Sequence, residues 1–155
     1  MSIRMNLKSE LMLNQLDVNS KEEALSLLAK KLKEEGMVKE EYIEAIIERE
    51  REYPTGLPSA QPAVAIPHAN HDLVKKTSMA VATLAKPVNF KNMENITADI
   101  PVQIIMMLAI AEPEGQIEML QKVISFIQNE DMKNNLLQAE NNEEMLKIIQ
   151  KIIEN

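Results

Sequence analysis

Ala63-Val64-Ala65-Ile66-Pro67-His68-Ala69-Asn70 is the stretch on which the reading of this chain turns. Small and branched apolar residues with no charge among them read as a buried strand. Pro67 has no amide hydrogen for a ladder, so the strand ends there. His68 follows at once. It emerges at the end of an inner strand, where α/β sheets hold their ligands. Imidazole titrates near neutral pH and suits the uptake and release of a proton or a phosphoryl group. The chain has two histidines, so His68 and its neighbour His71 hold all of its imidazole.

Upstream, residues 53–67 hold four of the seven prolines and one of the three glycines. Tyr53-Pro54-Thr55-Gly56-Leu57-Pro58 is therefore a loop. Before it lie two helices. Ser20-Lys21-Glu22-Glu23 is a capping box that opens the first, with Ala24, Leu25, Leu27, Leu28 and Leu32 on one face. Gly36 is its stop. The second runs from about Lys39 to Glu52. A short alternating stretch within residues 8–18, around Leu11, Leu13 and Leu16, is a weak strand. Downstream, Met79–Leu84 reads as a strand, with Val88–Phe90 its continuation or a neighbour. Ile100–Ala111 is a long buried strand. Glu112–Gly115 turns the chain into a helix, Gln116–Gln128. Helices at Met132–Ala139 and Glu143–Ile153 close it. The expected architecture is α/β: one domain over residues 1–155, a mixed sheet with helices on both sides. Which strands run parallel is not legible.

Composition narrows the function. The 155 residues suit one domain, and 45% hydrophobic residues suffice for a core. The eleven methionines are expected as core filler. A net charge of −7 argues against nucleic acid and against docking on anionic lipid. The absence of cysteine removes disulfides, thiolate nucleophiles and cysteine-bound zinc. The longest apolar run, Ile104–Ala111, falls well short of the roughly 18 residues of a membrane helix. Met1-Ser2-Ile3-Arg4-Met5 lacks a signal-peptide layout. A soluble cytoplasmic protein is expected, with no membrane insertion.

Helical phase selects further candidates. On the second helix Tyr42, Ala45 and Ile46 form the apolar stripe. At about 100° per residue, Arg49 falls within it and Arg51 opposite. Arg49 should point to the protein body and Arg51 to water. The glutamates of these helices read as solvated charge ladders, which disfavours a hydrolase with paired acids. On the helix after the long strand, Ile117, Leu120, Val123, Ile124 and Ile127 form the stripe. Gln116 lies on that side in the first turn, where unpaired amide groups and the helix dipole favour anions. Capping its own helix is an equally good reading of Gln116. Together His68, Arg49 and Gln116 can surround a phosphoryl group. The imidazole attacks phosphorus, Arg binds the equatorial oxygens, and Gln donates without adding charge. No metal or cofactor is required. A metal site on His68 and His71 has only Asp72 as an adjacent carboxylate, too little to argue for one. Thr55 and His71 are possible loop contacts of His68, although a turn explains Thr55-Gly56 as well.

Arg49-Glu50-Arg51-Glu52-Tyr53-Pro54-Thr55-Gly56-Leu57, followed by Ala63–His68, resembles the IIA component of the bacterial phosphotransferase system, fructose–mannitol type. The layout covers nearly the whole chain. The Tyr53–Leu57 wording and Glu114-Gly115-Gln116-Ile117-Glu118-Met119-Leu120-Gln121 look most like the galactitol-type branch. The resemblance implies that His68 accepts a phosphoryl group from the histidine phosphocarrier protein and passes it to a cysteine of a IIB component. It implies Nε2 as the phosphorylated nitrogen and Arg49 as the active-site arginine. It implies uptake of a sugar or polyol such as galactitol through a membrane-bound IIC component, which alone would touch the sugar. Gln116 stands where the mannitol branch carries a second histidine, and the segment between Leu57 and Ala63 is a few residues longer than in that branch. Without cysteine, the acceptor must be another chain. A regulatory protein of the same fold, controlling partners by its phosphorylation state, is the alternative. A pure interaction module with a structural His68 is more distant. The partner surface should be an apolar patch around His68, with Ile66, Ala69 and Leu57 as candidates.

Overall fold

The apolar runs expected as strands pair into one four-stranded mixed sheet in the computed structural model, which describes residues 5–154. Residues 1–4, on which most of the reading of Met1–Met5 rests, lie outside the described residues. The strands are β1 (Met12–Leu16), β2 (Ala63–Ala65), β3 (Ser78–Lys91) and β4 (Asp99–Ala109). Their order across the sheet is β1-β3-β4-β2. The pairs β1–β3 and β2–β4 are parallel, and β3–β4 is antiparallel. Val88–Phe90 continues β3, with a register shift between Thr83 and Val88 that carries the strand past Pro87.

Strand alternation sends the apolar side chains of β4 to both faces. Ile105, Met107 and Ala109 join one core; Ile104, Met106 and Leu108 join the other. Helices α1 (Lys21–Glu34) and α2 (Glu41–Glu52) cover the first face. Helices α3 (Gln116–Ile127), α4 (Glu130–Leu137) and α5 (Asn142–Glu154) cover the second. Burying one such side chain contributes roughly 1.5–3 kcal/mol, so packing rather than propensity holds these helices. Met12, Met37, Met79, Met106, Met107, Met119 and Met145 are all buried in this way.

Local chemistry sets the helix ends. Ser20 accepts from the Glu23 amide at the start of α1. At its end the Met37 amide donates to Leu32 and the Gly36 amide to Lys33, a Schellman motif with Gly36 at φ 76°. Phase is less accurate on individual residues. Leu27 is exposed and Ala29 takes its place in the buried face of α1.

One expectation is corrected outright. β2 is an edge strand, not an inner one. It is nevertheless fully buried, because the loop before it folds back along its open side. Ile66 donates its amide to Thr55, and Leu57 donates to Val64. On the other side of the loop, Gly56 donates to Lys91 and Met93 donates to Gly56. Covering an edge this way satisfies its amides and carbonyls. Gly56 is required by the close approach: a Cβ there would lie 2.7 Å from the Lys91 carbonyl oxygen.

Candidate functional site

His68 lies just past the end of β2, at a point where pairing with β4 persists. The Leu108 amide donates to Pro67, and His68 bridges to Leu108. The His68 ring is half-buried, and its Nδ1 lies 2.9 Å from the Ile66 carbonyl oxygen. A carbonyl only accepts, so Nδ1 carries the proton and Nε2 keeps its lone pair. Burial pulls the imidazole below its ordinary pKa. The Ile66 carbonyl pulls it back up, and the Arg49 charge pushes it down again. The neutral ring is thus the prevailing form at pH 7.

A hollow of about 240 Å³ opens over the ring, lined by Arg49, Glu52, Tyr53, Thr55, His68 and Ile96 among others. Water occupies about 30 Å³ per molecule in the liquid, so a phosphoryl group fits. Arg49 comes from the last turn of α2 and its guanidinium lies over the Tyr53 ring, 5.2 Å from the centroid. It is solvent-exposed rather than turned into the protein body, yet it borders the His68 hollow as its phase suggests. Arg51 is exposed and borders none of the hollows around His68. A second, narrow cleft is lined by His68, Ala69, Leu108, Ile110, Gln116 and Leu120. Gln116 is therefore next to His68. The residue before it, Gly115, makes no side-chain cap, and the Gln116 amide donates instead to the Pro113 carbonyl in the turn that leads into α3.

Thr55 also borders the hollow, but both of its donors are engaged. Its amide donates to Glu50 Oε2 at 2.8 Å and its hydroxyl to Oε1 at 2.7 Å. His71 sits in a single helical turn, His71–Leu73, with its Nε2 3.1 Å from Asp72 Oδ1. It does not line the hollows that hold His68. Among the described residues no three histidines, cysteines or acids gather as a metal cluster.

Several residues at the site are not singled out by the sequence patterns. Glu50 is 2% exposed, which overturns its reading as part of a solvated ladder. Its signal is present all the same: Tyr42, Ile46 and Glu50 form one four-residue-spaced row, and all three are buried. Tyr42 donates from its phenol to the Leu108 carbonyl at 2.9 Å, joining α2 to β4 beside the His68 bridge. Burial pushes this phenol far above its ordinary pKa, so it stays a donor. The apolar patch also differs from expectation. Ile66 and Ala69 are buried, and Leu57 is partly buried. The exposed apolar residues that line the hollow with His68 are instead Tyr53, Met93 and Ile96. The stripe of α3 is shifted accordingly, with Met119, Val123, Phe126 and Ile127 buried and Ile117 and Ile124 exposed.

Residues 5–152 match the family model described as "Phosphoenolpyruvate-dependent sugar phosphotransferase system, EIIA 2". The chain belongs to that family. This phosphotransferase IIA domain is 26% identical over 115 residues to the "PTS system galactitol-specific EIIA component" of Escherichia coli strain K12, covering 74% of this chain and 76% of the relative. It is 33% identical over 132 residues to the "Probable licABCH operon regulator" of Bacillus subtilis, covering 84% of this chain. It spans 19% of the length of that regulator. Its fold is that of Escherichia coli enzyme IIAMTL, whose structure was solved in complex with phosphorylated enzyme IIBMTL. The TM-score is 0.78 at 22% identity, covering 96% of this chain and 99% of the other. No helix of the described residues is long and apolar enough to cross a membrane.

Proposed function

We propose that this IIA protein is a cytoplasmic phosphocarrier that accepts a phosphoryl group on His68 Nε2 from the histidine phosphocarrier protein and gives it to a IIB cysteine. The observation that carries the reading is the Nδ1–H bond to the Ile66 carbonyl, beside a hollow bordered by Arg49. It directs the lone pair of a neutral imidazole to Nε2. In the first step that pair forms an N–P bond while the donor's N–P bond breaks, and the donor ring nitrogen leaves with the bonding pair. Nδ1 keeps its proton throughout. In the second step a thiolate forms an S–P bond and the pair returns to Nε2. Arg49 stabilises the equatorial oxygens through charge-assisted hydrogen bonds. Gln116 donates one neutral hydrogen bond, which holds the group without making phosphohistidine too stable for onward transfer.

Tyr53, Met93 and Ile96 beside His68 supply an exposed apolar surface for short-lived partner contacts. The cargo is a sugar or polyol, with galactitol favoured by the galactitol-specific relative, and it crosses through a IIC component without touching this chain. The test is intact mass after incubation with phosphoenolpyruvate, enzyme I and the histidine phosphocarrier protein. One acid-labile phosphoryl adduct, absent from H68A, is expected. No adduct with active upstream proteins overturns the reading.

The similarity to an operon regulator favours a second reading, in which phosphorylation of His68 controls a binding partner. The two separate on transfer from phosphorylated protein to a IIB cysteine. Rapid transfer supports transport, and a phosphohistidine that no IIB discharges supports regulation.

A further inference from the structure

Glu50 makes no contact with a reacting atom, and burying it is costly. Its carboxyl is almost fully buried, and no salt bridge reaches it among the described residues. It also sits in the last turn of α2, where the helix dipole disfavours negative charge. An apolar side chain would fasten the loop to α2 with less penalty. What a carboxylate does that an apolar group cannot is accept two hydrogen bonds from one residue in a set direction. It does so with the amide and hydroxyl of Thr55.

The path from there to the nucleophile is short. The Thr55 carbonyl accepts from the Ile66 amide at 3.2 Å, and the Ile66 carbonyl lies 2.9 Å from His68 Nδ1. Thr55 is thus the hinge between a carboxylate on the helix that bears Arg49 and the residue, Ile66, whose carbonyl orients the imidazole. We propose that Glu50 is a positioning residue for phosphoryl transfer, holding through Thr55 the Ile66 carbonyl that keeps the proton of His68 on Nδ1 and the lone pair on Nε2. The proposal rests on the phosphocarrier reading above. Two buried acceptor oxygens serve one purpose, to fix Arg49 and His68 relative to each other.

The test uses E50Q, T55V and T55S in the full chain. Gln keeps one acceptor oxygen and turns an NH₂ toward a Thr55 donor, whereas T55V removes only the hydroxyl donor. Nitrogen-15 shifts of the His68 ring, read on unphosphorylated protein, report the tautomer and need no phosphoryl donor. E50Q is expected to move the ring away from the Nδ1–H form and to slow phosphorylation roughly 10- to 100-fold, the scale of a small misplacement. T55V should do the same to a smaller extent, with T55S recovering most of the tautomer and rate. A folded E50Q with wild-type tautomer and rate overturns the proposal and leaves the phosphocarrier reading intact. Should E50Q not fold, the T55V and T55S pair decides on the same readouts. A wild-type protein that takes no phosphoryl group overturns the phosphocarrier reading, and the proposal with it.

Discussion

The two helix ends that flank His68 are built in opposite ways. The end of α2 is tied down: Glu50 receives both donors of Thr55 and the Tyr53 amide donates back to Arg49, while Tyr42 in the first turn fastens the helix to Leu108. The start of α3 is held by backbone bonds alone, the Gly115 amide donating to Glu112 and the Gln116 amide to Pro113. A single turn, Pro113–Gly115, leads into it, no side chain caps it, and Ile117 stands 69% exposed. The contrast separates two tasks. In the proposed function, the tied end holds the Arg49 charge and the His68 nucleophile in register, which a reaction needs. In that function, the α3 end presents polar and apolar groups to a protein that binds and leaves within one transfer.

Substitutions at the two ends should therefore differ in kind. H68A removes the nucleophile between them. It should abolish phosphoryl incorporation by mass while leaving the unfolding temperature within a few degrees, because the ring is half-buried at a strand end. On the tied side, R49A should slow transfer roughly 10²- to 10³-fold in single-turnover assays, the effect of removing one preorganised donor. R51A, at the water-facing phase, should change the rate less than R49A does. An R51A worse than R49A would break the helical-phase argument.

Y42F leaves the Leu108 carbonyl without its phenol donor in the core. It should cost about 1–3 kcal/mol in urea unfolding and slow transfer as α2 loosens against β4. On the α3 side, Q116A should lower the rate only a few-fold, with no loss of stability, since the bond at the start of α3 is made by the Gln116 backbone amide and not by its side chain. Stability loss in Q116A would instead restore its capping role and erase the contrast.

Acid titration sharpens the comparison at its centre. His68 has a folded pKa below the ordinary value, so its neutral form contributes stability fully above about 6.5. That contribution is lost as pH falls through the depressed folded value. Phosphorylation should stay level as pH drops past 6.5 and decline only further down. Because Arg49 pushes the pKa down, R49A should move the midpoint of an NMR titration upward. The shift should be modest, as burial is the larger cause.

Much of the layout of the candidate site is legible in the residue order. Pro67 next to His68 marks a strand end, and phase puts Arg49 and Gln116 on its side. Both inferences use single elements, whose periodicity the chain carries locally. Glu50 escapes such a reading because a charge run looks solvated, although its row with Tyr42 and Ile46 is there to see. The exposed Ile117 and the buried Ile66 and Ala69 escape it for another reason. Which side of a short apolar segment is covered depends on what packs on it, and that lies elsewhere in the chain.

The helices, their caps and the end of β2 follow from local residue order, since hydrogen bonds within a few residues and side-chain period decide them. The edge position of β2, the loop that covers it and the carboxylate under Thr55 do not. They join Glu50, Thr55, Ile66, Lys91 and Leu108 across elements that only folding brings together, and the tautomer of His68 depends on that assembly.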